Sequence, residues 1–205
     1  MAVLDHIVVV SSGLTAGLDH VERMIGVRPP PGGSHPLMGT HNHLVRLGEA
    51  SFLEVISVDP DAPAPSRARW FGLDTPPAAP RLAHWVVRTD DMAALHPRLP
   101  AACGPAIPVT RGDLRWLLTV PEDGSLPEGG AFPSVLEWQA DALPPTRMAG
   151  AGLDLLRLEI AHPEPERLAG MLEGVIDDPR VVVGQGPAPG LRALLSTPDG
   201  EKWLE

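Results

Sequence analysis

The sequence predicts an α+β protein. Two paired βαβββ modules curl their mixed sheets into one cup, and a third, partial βαββ unit follows. Three observations predict it. Leu4-x-His6-x-Val8-Val9 returns as Leu82-x-His84-x-Val86-Val87. Leu53-Glu54 returns as Leu136-Glu137, so that the His-to-Glu interval is 48 residues in the first copy and 53 in the second. Between the copies, residues 59–81 hold six prolines and break the pattern. Two such copies are too long and too few for a solenoid. Each presents a half-open sheet, and pairing them closes a pseudo-two-fold cup.

The elements follow in order. Residues 3–10, VLDHIVVV, are short and β-branched and read as a buried strand. Leu14, Leu18, Val21 and Ile25 fall at i, i+4, i+7 and i+11, one face of a helix. Gly26 stops it, and Pro29 to Gly33 makes a turn. Residues 43–47 and 52–58 read as two strands joined at Gly48-Glu49, with one more short strand near His35 to Thr40. The pattern restarts with a strand at 82–88. A helix N-capped at Thr89 to Asp91 carries Met92, Leu95 and Leu99 on its apolar face. Strands near 105–110, 114–120 and 134–139 complete the second copy. After a break at 142–152 come a strand at 155–160, a helix at 164–175 and strands at 180–184 and 191–196. The organisation is therefore 1–58 first module, 59–81 Pro-rich linker, 82–141 second module and 153–205 third partial unit. Together they make one compact domain, with the third unit completing or covering the cup.

Composition bounds the function. The chain has 205 residues, a net charge of −10, one Cys (Cys103) and no Tyr. The acidic balance argues against nucleic acid and against anionic membranes as partners. The N-terminus has no basic n-region, and Asp5 and His6 interrupt its apolar run, so it is not read as a signal peptide. A soluble cytoplasmic protein is the expectation. There is no GxSxG elbow, no GxGxxG or GxxxxGK[ST] loop and no HExxH.

The chemistry rests on four residues. Side chains alternate along a strand, so His6 shares a face with Val8 and Val10, and Glu54 with Phe52 and Ile56. His84 sits between Leu82 and Val86, and Glu137 between Val135 and Gln139. Buried polar groups need partners. Two His and two Glu related by an internal repeat satisfy one another through a divalent metal such as Zn, Ni, Fe, Mn or Co. The competing reading is that each is an independent core or surface residue. His41-x-His43 has ligand spacing but also suits a strand edge. His35, His41, Asn42 and Arg46 are candidates to hydrogen-bond a substrate if they face the cup. Arg111 and Arg115, in the row Arg111, Asp113, Arg115, form either a solvated face or a cationic wall for an anionic substrate. Trp70-Phe71 in the Pro-rich stretch either packs back on the domain or lids the pocket.

LDHIVVV, LAHWVVRTDD, FLEVI and VLEWQ resemble the vicinal oxygen chelate superfamily. That superfamily includes glyoxalase I, extradiol dioxygenases, methylmalonyl-CoA epimerase and the fosfomycin- and bleomycin-resistance proteins. GGSHPLMGTHNHLVRLG, APAPSRARWFGLD, RGDLRW, LPEGG and GPAPGLRALLSTPDG are similar to its glyoxalase-like-domain branch. The resemblance implies the glyoxalase/bleomycin resistance/dioxygenase fold. It also implies that His6, Glu54, His84 and Glu137 are the metal ligands, with Glu54 or Glu137 as the catalytic proton shuttle. Four filled positions lean toward an isomerase, lyase or epimerase that acts by proton transfer on a small vicinal-oxygen substrate. A resistance-type protein that binds a small molecule without turnover is the alternative, and an extradiol-type dioxygenase a further one. A small molecule is the expected partner, and a homodimer is admitted. The third unit departs from the pattern: Leu156-Arg157-Leu158 stands where a first-strand His would be.

Overall fold

Eight strands form one sheet in the order β2-β3-β4-β1-β5-β8-β7-β6. The structure, a computed structural model, describes residues 1–139, 144–148 and 150–205. The expected end of the second module at 141, and part of the expected break at 142–152, lie outside the described residues.

The first half contributes β1 (Val3–Val10), α1 (Leu14–Ile25), β2 (Pro31–His35), β3 (Thr40–Leu47) and β4 (Ser51–Val58). The second contributes β5 (Arg81–Arg88), α2 (Met92–Leu95), β6 (Ala106–Arg111), β7 (Leu114–Thr119) and β8 (Ser134–Trp138). The strand order is a mirror about the central pair. β1 runs parallel to β4, β5 runs parallel to β8, and β1 meets β5 antiparallel. The sequence repeat thus becomes a pseudo-two-fold sheet, as the pairing of half-open modules requires.

The sheet has two dressed faces. Ile7, Val9, Leu53, Val55, Trp85, Val87 and Val135 pack against α1 and the last quarter of the chain. Val8, Val10, Ile56, Val86, Leu118 and Leu136 line the other face, the inside of the cup. α1 lies where its period places it, with Leu18, Val21 and Ile25 buried. It sits close to the sheet because Gly17 lets it: a Cβ there would come within 2.7 Å of Val55 Cγ1. Gly26 ends the helix with φ of 78°, a conformation that glycine adopts without steric cost.

The second helix is shorter than its apolar pattern suggests. Asp91 caps α2 by accepting from Ala94 N–H at 2.9 Å. Pro97 and Pro100 follow, and the chain tightens into 3-10 turns at His96–Arg98 and Ala101–Cys103.

The third unit differs from its expectation in two ways. It holds β9 (Asp154–His162), α3 (Pro165–Leu172), β10 (Val181–Gln185), β11 (Gly190–Thr197) and an unexpected β12 (Gly200–Leu204). Their order, β10-β9-β11-β12, is not that of the modules. This sheet does not cover the cup. Leu155, Leu158, Ile160, Ala193 and Leu195 join the same core as Ile7, Val9 and Trp85, so the unit backs the opposite face. Among the described residues, no helix is long and apolar enough to cross a membrane.

Candidate functional site

The cup opens into a hollow that spans about 440 Å³ with the open solvent at its mouth included, of which about 40 Å³ admits the centre of a water molecule. Phe52, Trp70, Phe71, Trp116 and Trp138 supply aromatic walls. His6, His35, Asn42, Glu54 and Arg111 supply the polar groups. A largely apolar hollow with a few convergent polar groups is what a small-molecule site requires.

His6 stands at the centre of a buried chain of contacts. Its ring stacks on Phe52 with centroids 4.4 Å apart. Its Nδ1 lies 2.7 Å from Oδ1 of fully buried Asp5. A carboxylate only accepts, so Nδ1 carries the proton and the other nitrogen turns to Glu54. That Nε2 is 3.6 Å from Glu54 Oε2. Asp5 Oδ2 accepts from Trp138 Nε1 at 2.9 Å and lies 3.5 Å from Arg88 Nη1. Sequence reasoning missed Asp5. The β1–β5 register shifts between Leu4 and His6, and this irregularity turns Leu4 to the helix side and His6 to the cup. The available signal was an acidic residue inside an apolar strand.

Glu54 is braced from the other side. Asn42 Nδ2 donates to its Oε1 at 2.6 Å. Asn42 Oδ1 accepts from Gly33 N–H at 2.9 Å and from Arg111 Nη1 at 3.2 Å. Arg111 Nη1 also donates to His35 Nε2 at 3.3 Å, while His35 Nδ1 meets Thr40 Oγ1 at 3.1 Å. Burial first, then the Arg111 charge, pushes His35 down to about 3, so it accepts as a neutral imidazole. Its ring stands edge-on to Trp70, centroids 5.0 Å apart.

The second module does not mirror this arrangement. In β1–β4, Val8, two residues after His6, pairs with Glu54. In β5–β8, Val86, two residues after His84, pairs with Ser134. Ser134, not Glu137, therefore occupies the place equivalent to Glu54. Its Oγ lies 2.9 Å from His84 Nε2, and its backbone N–H donates to the same nitrogen at 3.1 Å. His84 is fully buried beside Phe71, with ring centroids 5.2 Å apart. Burial, partly offset by the backbone of Gly130, pushes its imidazole down to about 3. Glu137 lies on the helix side, where it accepts from Met92 N–H at 2.6 Å and caps α2.

A divalent metal, the group the resemblance implies, does not fit this donor set. No group of three His, Cys, Asp or Glu side chains among the described residues is placed to hold a metal ion. His84 Nε2 is engaged by Ser134 while its buried Nδ1 has no hydrogen-bond partner, and Glu137 is on the wrong face of the sheet. A site needs three or four protein ligands; of the expected set, His6 and Glu54 face one another at 3.6 Å. Among the described residues the four expected ligands are thus not gathered in one place, and Glu137 stands outside the cup.

The remaining candidates divide. His35, Asn42 and Arg111 line the cavity, as does Trp70-Phe71 from the Pro-rich stretch. Phe71 holds a left-handed φ of 57° there. His41 alternates away from the cup and meets Ser57 Oγ at 2.9 Å. Arg46 lies against Gly150. Arg115 is exposed. None of these three is among the residues lining the cavity. Cys103 is buried, and burial pushes its thiol up to about 12, which leaves it inert.

Residues 4–176 match the model of a family described as glyoxalase-like domain. A hypothetical protein from Staphylococcus aureus has a similar structure, with a TM-score of 0.64 at 14% identity over 93% of this chain and 88% of that one. Methylmalonyl-CoA epimerase from Mycobacterium tuberculosis aligns at 17% identity with a TM-score of 0.41, over 66% of this chain and 85% of that one. No curated protein matches.

Proposed function

This chain belongs to the glyoxalase-like domain family, and we propose that its cup binds a small oxygenated molecule and moves a proton on it through Glu54. The reaction class is that of an isomerase, lyase or epimerase. The observation that carries the reading is Glu54 itself. It is a buried carboxylate at the cavity wall, held at Oε1 by Asn42 and facing His6 through Oε2.

The chemistry follows from the contacts. An ionised Glu54 accepts a proton from a carbon next to a carbonyl group of the bound molecule. Asp5 holds a proton on His6 Nδ1 and so fixes the ring with Nε2 toward Glu54, 3.6 Å from Oε2. His6 thereby positions the Glu54 carboxyl from one side while Asn42 holds it from the other. The aromatic walls surround these groups with apolar surface. No step is routed through a metal, because the donor set does not fit one.

A second reading, binding without turnover, is favoured by the tie between His84 and Ser134, which leaves the second module without an acid–base group in the cup. Deuterium exchange separates the two. In D2O, proton-transfer chemistry predicts C–H to C–D exchange in a small ketone or 2-oxo acid, observed by NMR and lost in Glu54→Gln. Saturable binding with no exchange establishes the binding-only reading instead.

A further inference from the structure

Arg111 holds an unusual position for a cation. Eight of the fifteen arginines, Arg28, Arg69, Arg88, Arg147, Arg157, Arg167, Arg180 and Arg192, form ion pairs, and of the rest Arg111 is the one that lines the cup among the described residues. Among the described residues Arg111 has no carboxylate partner. It sits half-buried at the neck where the cup cavity meets the outer cleft between Pro30 and Arg147, and it lines both. Its aim is fixed by neutral acceptors. Nη1 is held by Asn42 Oδ1 and His35 Nε2, and Gly33 makes room for the arm, since a Cβ there would come within 3.2 Å of Arg111 Cδ. His35 and Asn42 therefore position a guanidinium without neutralising it. A partly desolvated charge with no counter-ion is costly, and an arriving anion relieves that cost.

We propose that the molecule bound in the cup carries a carboxylate, which pairs with Nε and Nη2 of Arg111, the nitrogens that His35 and Asn42 leave free. The fork geometry of guanidinium suits a carboxylate in two-point contact. Asn42 links this anion site to the base, since it touches both Arg111 and Glu54. A carboxylate held there turns the neighbouring carbons toward Glu54, while the aromatic walls take an apolar body. The ligand class is a small 2-oxo or 2-hydroxy carboxylate with an apolar side group. This inference rests on the proton-transfer site described above, but it can fail or stand separately.

Two probes differ only in the anion: 2-oxo-4-phenylbutyrate, and 4-phenyl-2-butanone, in which a methyl group replaces the carboxylate. Calorimetric titration of the full chain is expected to show the acid binding at least tenfold more tightly than the ketone. Arg111→Gln should bring the acid down to the level of the ketone and leave the ketone unchanged, and Arg111→Lys should recover part of the difference. Equal binding of the two probes, no binding of either, or full acid binding by Arg111→Gln overturns the proposal. If Arg111→Gln does not fold, the acid–ketone comparison on the wild type decides. Deuterium exchange in the same samples keeps the two readings apart. Acid-selective binding with no exchange supports Arg111 and sinks Glu54. Exchange lost in Glu54→Gln but indifferent to the carboxylate sinks Arg111 alone.

Discussion

Ser134 Oγ lies 2.9 Å from His84 Nε2, and the strand register gives Ser134 the place beside β5 that Glu54 holds beside β1. One sequence repeat thus yields two unlike half-sites. In the first, a histidine faces a carboxylate across the cavity wall. In the second, a histidine is tied to a hydroxyl and sealed under Phe71.

The Asp5 carboxylate orients the site without lining the cavity. Asp5→Asn offers a single acceptor oxygen in place of two, so His6 Nδ1–H and Trp138 Nε1–H compete for it. Leaving one buried donor unsatisfied costs about 1–3 kcal/mol. The urea midpoint should fall accordingly. Exchange activity should fall at least tenfold, while binding of 2-oxo-4-phenylbutyrate changes little.

Glu137 is predicted to be a stability residue. Its carboxylate satisfies Met92 N–H at the start of α2. Glu137→Ala should cost roughly 1 kcal/mol, the usual size of a lost N-terminal cap. Denaturant unfolding checks the loss, and exchange activity should be unchanged.

Two buried histidines make stability depend on pH. His35 and His84 are both pushed down to about 3, from an ordinary value of 6.5. The unfolded chain binds protons on them below 6.5, while the folded chain does not until about 3. Their contribution is therefore complete above pH 6.5 and is lost as pH falls toward 3. Each adds at most about 1.4 kcal/mol per pH unit to the slope. Unfolding curves from pH 7 to pH 4 should show the slope. Removing the imidazole in His84→Gln should reduce it by up to one proton.

The donor geometry also predicts the response to metals. Incubation with a chelator should leave both thermal stability and exchange activity unchanged. Elemental analysis of protein purified without chelator should give far less than one equivalent of any divalent metal. Near-stoichiometric metal, lost in His6→Ala, would contradict this.

Much of the fold was legible because periodicity and punctuation are local. Leu14, Leu18, Val21 and Ile25 mark α1, and the paired His strands mark the modules. The site was less legible, and the reason is register. Aligning Leu136-Glu137 with Leu53-Glu54 sets β8 off by three residues, an odd number that exchanges its faces. Leu53 belongs to the helix side, but Leu136 lines the cup. Any odd slip exchanges the two faces of a strand, and alternation along β8 alone does not reveal it. The irregularity at Asp5 depends on the pairing of β1 with β5, which alternation along one strand does not encode. The strand β12 does carry a local signal, the turn residues Pro198-Asp199-Gly200 at its start.

The central claim is that Glu54, and not Glu137, is the carboxylate that works inside the cup. Deuterium incorporation into 2-oxo-4-phenylbutyrate, followed by NMR in D2O above the uncatalysed background, tests it most directly. Glu54→Gln should abolish the catalysed exchange, and Glu137→Gln should retain the wild-type rate. Exchange that survives in Glu54→Gln, or that disappears in a folded Glu137→Gln, would contradict the account.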